Sequence, residues 1–224
     1  MAKDFNSQLV VDGYDEHIRK LIPGYELVHQ QIQSILKLHL QENAHVLIIG
    51  CGTGYELNYL LAAHPNCTFT VTELSENMLN QARQNVQATG QAYRVNFVLG
   101  SHTDFEVPQA FDAVLCILVT HFIEQDAKPL FLAKAFKLLK PQGIFLSFDL
   151  MLSQSSVELE ILPQFCQAQG LTKHQANKMM QRLADDFELI SQSDYQTLLT
   201  KIGFEHIYCF SQIFSYAAYW AVKS

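Results

Sequence analysis

Val46-Leu47-Ile48-Ile49-Gly50-Cys51-Gly52-Thr53-Gly54 is a short apolar run that ends in three alternating glycines. A strand that turns sharply into a helix, and leaves room for a ligand against its main chain, needs residues without Cβ that accept positive φ. Gly50, Gly52 and Gly54 meet that need. The helix expected next, near residues 54 to 63, points unpaired N–H groups and the positive end of its dipole at such a ligand.

Spacing narrows the ligand. The dinucleotide fingerprint is G-x-G-x-x-G, but here the third glycine comes one residue early and Tyr55 holds the late position. S-adenosylmethionine (SAM) is therefore preferred to NAD. A second apolar run, Thr68-Phe69-Thr70-Val71-Thr72, ends at Glu73, nineteen residues beyond Gly54, where an acid can accept hydrogen bonds from both ribose hydroxyls. Each signal alone has a structural explanation: a tight turn for the glycines, and for Glu73 a helix-start acid ahead of Ser75.

Working outward, strands are expected near 45–49, 67–73, 93–99, 111–118 and 143–149, alternating with helices near 54–63, 75–90 and 125–140. That alternation implies an α/β fold, a Rossmann-like doubly wound sheet covered on both faces. Two helical segments, 153–168 and 172–190, form an insertion separated by Gln169-Gly170. A last helix at 193–202 leads to Phe204–Phe210 and Ile213–Val222, read as an antiparallel pair that closes the edge of a seven-stranded, mostly parallel sheet. One domain over 1–224 is expected, with residues 1–25 and 153–190 available as a lid.

Four segments in series resemble the class I SAM-dependent methyltransferases. Val46 to Gly54 resembles their first motif, and Glu73-Leu74-Ser75-Glu76-Asn77-Met78-Leu79 the segment after their second strand. Phe111 to Cys116 resembles their fourth strand, and Ala135 to Gly143 the helix and turn leading to their fifth. Ile22-Pro23-Gly24-Tyr25-Glu26-Leu27 and Lys201-Ile202-Gly203-Phe204-Glu205-His206 are similar to one branch, the carboxy-SAM synthases of tRNA wobble-uridine modification. The resemblance implies SAM as cofactor, with contacts from Tyr25, Gly50, Cys51, Gly52, Gly54, Glu73, Leu74, Ser101, His102 and Cys116.

Three positions depart from the pattern. The carboxy-SAM synthases hold the extra carboxylate of their ligand with an arginine whose matching position here is Leu198, which removes the charge-assisted pair such a group requires. Ordinary SAM is expected instead. The acid usual in the first strand, near the methionine ammonium, is Ile48, and the acid that usually receives the adenine amino group is Ser101. Main-chain carbonyls of the glycine loop and Asp104 are the available substitutes.

Composition bears on partners. A net charge of −7 without a Lys or Arg cluster favours a small-molecule substrate and argues against direct nucleic-acid binding. The longest apolar stretch is too short to span a bilayer and Met1-Ala2-Lys3-Asp4-Phe5 lacks an apolar leader, so a cytoplasmic protein without membrane association is expected. Five cysteines with no C-x-x-C, and nine histidines with no H-x-x-x-H, point to buried thiols and to no metal. The aromatic C-terminus, from Phe204 to Trp220, reads as core or dimer packing, because no cations interleave the rings. Helix spacing over 172–190 fits a lid and a homodimer interface equally.

Methyl transfer needs an oriented acceptor and, for a hydroxyl or protonated nitrogen, a general base. His121, after the fourth strand, and Asp149, at the end of the fifth, are the candidates, with Tyr14 and Tyr25 as positioning groups. Three functions stand at this point: a methyltransferase for a small molecule, a carboxy-SAM synthase-like enzyme of tRNA modification, and a non-catalytic binding protein that kept the fold.

Overall fold

The computed structural model describes residues 7–106, 109–153 and 155–224. Residues 1–6 of the expected lid, including the leader reading on Met1–Phe5, and position 154 of the insertion lie outside the described residues. In chain order the elements are α1 (Gln8–Asp12), α2 (Tyr14–Leu21), α3 (Tyr25–His39), β1 (His45–Ile49), α4 (Tyr55–Ala63), β2 (Thr68–Glu73), α5 (Glu76–Ala88) and β3 (Val95–Leu99). There follow β4 (Phe111–Ile117), α6 (Lys128–Leu138), β5 (Leu139–Leu150), α7 (Ser156–Ala168), α8 (Lys173–Asp185), α9 (Gln192–Ile202), β6 (Phe204–Ile213) and β7 (Tyr216–Lys223).

The seven strands lie in the order β3-β2-β1-β4-β5-β7-β6, and only β7 runs against its neighbours. β1 is the centre of the switch: Ile48 pairs with Val71 of β2 on one side and Leu115 of β4 on the other. Strand order reverses between β1 and β4, and a ligand in an open sheet sits at that crevice. Alternation along β1 fills both faces. Val46 and Ile48 enter the core shared with α3, α4 and α5, whereas Leu47 and Ile49 enter the core under α6 and α9. A strand buried on both faces must be apolar throughout, which is why the glycine run is preceded by four aliphatic residues.

The sequence expectations place the strands and helices correctly, with differences at the ends. Helix α6 stops at Leu138 and β5 begins at Leu139, four residues before the expected start. Pro141 explains this, because it disfavours helix at Lys140 and carries no N–H for a ladder. The register jumps from Phe111↔Leu139 to Ala113↔Ile144, so the intervening residues bulge, with Gln142 at φ 63°. Helix α8 ends at Asp185 instead of 190. Helix α3, absent from the sequence expectations, buries Val28, Ile32 and Leu36 at helical spacing.

The aromatic C-terminus is largely core: Phe204, Tyr216 and Tyr219 are buried, and Tyr195 packs its ring at a tilt against Tyr219 while donating its hydroxyl hydrogen to Ser147. Among the described residues no helix is long and apolar enough to cross a membrane, and no group of three His, Cys, Asp or Glu is arranged to hold a metal ion.

Candidate active site

The glycine loop is built as a left-handed turn. Gly50, Gly52 and Gly54 have φ of 67°, 52° and 81°. A Cβ on Gly54 would stand 3.1 Å from the Cβ of Ala82, so α5 is able to pack on the loop only because the side chain is missing. At Gly50 a Cβ would stand 2.7 Å from Val119. Gly54 is also the N-cap of α4, which directs the open end of that helix into the loop.

Glu73 closes the loop from β2. One carboxylate oxygen accepts from the Gly52 N–H at 2.9 Å, and the other accepts from the Leu74 and Ser75 N–H groups, each at 2.9 Å. The acid is therefore held at the carboxyl end of β2 by three main-chain donors and stays half-buried. Leu74 beside it is 76% exposed, an apolar side chain held at solvent next to the acid. Ser101 caps the short turn His102–Asp104: its hydroxyl accepts from the Thr103 N–H, and Asp104 accepts from the Ser101 N–H. Glu73, Leu74 and the 101–104 turn follow neighbouring paired strands, so they share one edge of the crevice.

Two predicted cofactor contacts lie elsewhere. The His102 ring is fully buried, edge-on to Phe131 and hydrogen-bonded to its carbonyl, and burial lowers its pKa. Cys116 is fully buried in the core under α6, where desolvation pushes its thiol well up. Cys51, by contrast, lines the cleft beside the loop glycines, with its thiol buried and likewise raised.

Helices α2 and α3 cover the loop. Asp15 of α2 accepts from the Thr53 hydroxyl at 2.6 Å, which latches the helix to the loop. Tyr25, His29, Tyr55 and Tyr59 form a ring cluster between α3 and α4, with His29 Nδ1 3.0 Å from the Tyr59 hydroxyl. Burial holds His29 neutral, with its pKa lowered to about 3. A cleft of about 30 Å³ is left between Tyr14, Tyr25, Tyr55, Glu56, Leu118 and the loop from Gly50 to Thr53.

Beside this cleft is a cavity of about 520 Å³, walled by α1, α2, α8, the segments after β4 and α8, the last residue of β5 and the first of β7. Tyr14 and Leu118 line both spaces, so they adjoin. Leu118 has φ 58°, an unfavourable conformation for a bulky residue, held by its N–H donating to Phe148 at 2.6 Å. Most of the cavity wall is apolar, including Val10, Ile18, Ile22, Met179 and Phe187. Its charged or titratable members are Tyr14, His17, His121, His174, Lys178, Arg182 and Tyr216, with no carboxylate among the described residues that line it.

His121 and Asp149 are brought together. Asp149 is fully buried at the end of β5 and accepts from His121 Nδ1, from the Thr120 hydroxyl, from the Thr120 N–H at 2.6 Å and from the Leu150 N–H at 3.0 Å. A buried carboxylate is tolerated when its lone pairs are met, as they are here. Phe187 sits edge-on to the His121 ring, and the Glu188 N–H donates to the His121 carbonyl, so the segment after α8 is fastened to the histidine.

Lys128, 1% exposed, fixes the same segment through the carbonyls of Ile123 and Glu188. Sequence reading passed over Lys128, Asp15 and Glu56. All three stand at ordinary surface positions of their helices, and only the tertiary fold turns them inward. Leu198, in place of the arginine of the carboxy-SAM synthases, packs as a partly buried apolar side chain against the core under α6.

Comparison with known proteins agrees with this architecture. A family described as a methyltransferase domain matches residues 46–143. Curated relatives include the carboxy-S-adenosyl-L-methionine synthases of Desulfotalea psychrophila, 25% identical over 98% of this chain and 91% of the relative, and of Wolinella succinogenes, 26% identical over 100% and 95%. An O-methyltransferase family protein from Burkholderia thailandensis superposes with a TM-score of 0.64 at 18% identity, covering 88% of this chain and 56% of that one. The SAM-dependent methyltransferase SibL gives 0.62 at 17% identity, covering 89% and 57%. The chain thus spans just over half of those two structures, and their likeness concerns the fold. Residues 46–143 of this chain thus match a methyltransferase domain, and the seven-stranded fold that carries them is the one seen in the solved methyltransferases.

Proposed function

We propose that this protein is a SAM-dependent methyltransferase acting on a small-molecule acceptor. The observation that carries the reading is the contiguity of the glycine-loop cleft with the larger cavity through Tyr14 and Leu118, with His121 on the cavity wall. The residues present fit the cofactor: Glu73 with its exposed neighbour Leu74 suits a ribose and base, and the aromatic, carboxylate-bearing cleft suits the cationic methionine end. When bound, SAM supplies a methyl group activated by its sulfonium.

The chain's own contribution is orientation, exclusion of water and proton removal. Helices α1, α2 and α8 enclose the acceptor cavity. Asp149 holds the proton on His121 Nδ1, which leaves Nε2 as the base for an acceptor O–H or N–H. Asp149 is fully buried, so it positions His121 and does not meet the acceptor. The imidazole groups and Lys178 on an otherwise apolar wall, where Arg182 is already paired with Asp186 at 2.8 Å, favour an acceptor with an apolar body and an anionic group over a cationic one.

The curated relatives motivate a second reading, a carboxy-SAM synthase-like activity, and Leu198 speaks against it. A cytoplasmic location and a homodimer complete the proposal. Five unpaired thiols support the first, and the edge strand β6, with Tyr208 61% exposed, supports the second.

The test is incubation with methyl-labelled SAM and a panel of carboxylate-bearing, neutral and cationic small molecules, followed by mass spectrometry. Label transfer to a carboxylate-bearing acceptor is expected. Carboxy-SAM as the product would establish the second reading, and a folded protein that transfers to no member of a broad panel and binds no SAM would contradict both.

A further inference from the structure

Glu56 lies in the first turn of α4, directly after the glycine loop, and lines the small cleft between that loop and Tyr14 and Tyr25. It is 6% exposed, and its Oε2 is buried with no hydrogen-bond partner. A carboxylate oxygen withdrawn from water without a donor is unfavourable, so a buried orphan of this kind at a ligand cleft calls for a missing donor.

The surroundings specify that donor. The titratable groups that interact with Glu56 are Asp15 and Tyr14 on α2, Tyr25 on α3, Tyr59 on α4, Cys51 in the loop and Glu73 on β2. None of them is a cation. Burial, together with the negative charges of Asp15 and Glu73, raises the Glu56 pKa to about 7, although its own N–H partly offsets this. Meanwhile Ile48, where an acid would otherwise meet the methionine ammonium, is 1% exposed and packed in the core shared with α3 and α4.

We infer that Glu56 is the counter-ion for the α-ammonium of SAM, supplied from α4 in place of an acid on β1. The inference rests on the SAM reading above. It makes the cleft a cation site whose carboxylate loses its proton as the ammonium enters, so cofactor binding releases a proton below about pH 7.

Calorimetric titration of the full chain with S-adenosylhomocysteine, and with 5′-deoxy-5′-methylthioadenosine, which lacks the amino-acid end, tests it. Glu56→Gln is expected to weaken S-adenosylhomocysteine by about 10- to 100-fold and the truncated nucleoside by less than about 2-fold. Equal affinities in variant and wild type for S-adenosylhomocysteine, or an equal loss for both ligands, would overturn the role of Glu56 while leaving the SAM reading in place. A wild-type chain that binds neither ligand would overturn both. Repeating the wild-type titration at pH 6.5 in buffers of different ionisation enthalpy reads the proton without any variant. Net release supports the inference, and no release contradicts it.

Discussion

His121 Nδ1 is hydrogen-bonded to Asp149 Oδ1, where β4 and β5 end side by side with Ile117 paired to Phe148. Asp149→Asn keeps the shape but replaces the carboxylate that fixes the imidazole tautomer. Turnover is expected to fall by about 10²- to 10⁴-fold with little change in SAM affinity. Steady-state kinetics and calorimetry on the same preparation check this. A variant with wild-type turnover would remove His121 from the mechanism.

The three loop glycines have different neighbours, so their alanine variants should differ. Gly54→Ala combines positive φ with close contact to Ala82, and Gly50→Ala with close contact to Val119. Both should destabilise the fold by more than the roughly 1–2 kcal/mol that left-handed backbone costs alone. Gly52→Ala meets only Tyr14 at 3.9 Å. It should stay near that lower figure, with its main effect on cofactor affinity. Denaturant melts of the three variants give the ranking.

Glu56 makes a prediction about stability that is opposite in sign to its effect on binding. Its folded pKa of about 7 exceeds the ordinary 4.5, so the folded state binds the proton more tightly than the unfolded chain does. The stabilisation is therefore complete below about pH 4.5 and is lost as pH rises to about 7, by up to about 3 kcal/mol. Glu56→Gln carries no such loss. Relative to wild type it should gain stability between pH 5 and pH 8, as urea unfolding at the two pH values would show.

Lys128 couples the segment after α8 to the body of the protein. Its ammonium joins the carbonyls of Ile123 and Glu188, and burial lowers its pKa. Lys128→Met leaves both acceptors without that donor. A loss of about 1–3 kcal/mol is expected, with KM for the acceptor raised because Phe187 and Glu188 are no longer fixed on His121. Unchanged KM in a destabilised variant would mean that the segment after α8 is held on His121 by packing alone.

The sheet was legible because its signals are local: apolar runs of strand length, glycines at a strand-to-helix turn and an acid after the next strand. Pairing of Ile48 with both Val71 and Leu115 follows from those runs. Side-chain direction was less accessible. His102 and Cys116 occupy the expected positions near strand ends, yet both point into the core under α6, since neighbours along a strand or turn face opposite sides. Glu56 escaped notice for a related reason. An acid in the first turn of a helix is an ordinary dipole partner, and only the packing of α2 and α3 over α4 makes it buried.

The most direct test of the account is equilibrium titration of the folded chain with SAM and S-adenosylhomocysteine, alongside NAD. The account predicts saturable binding of both sulfur ligands at one site per chain, competition between them, and no binding of NAD. A folded chain that gives no saturable signal with either sulfur ligand at millimolar concentration would contradict it.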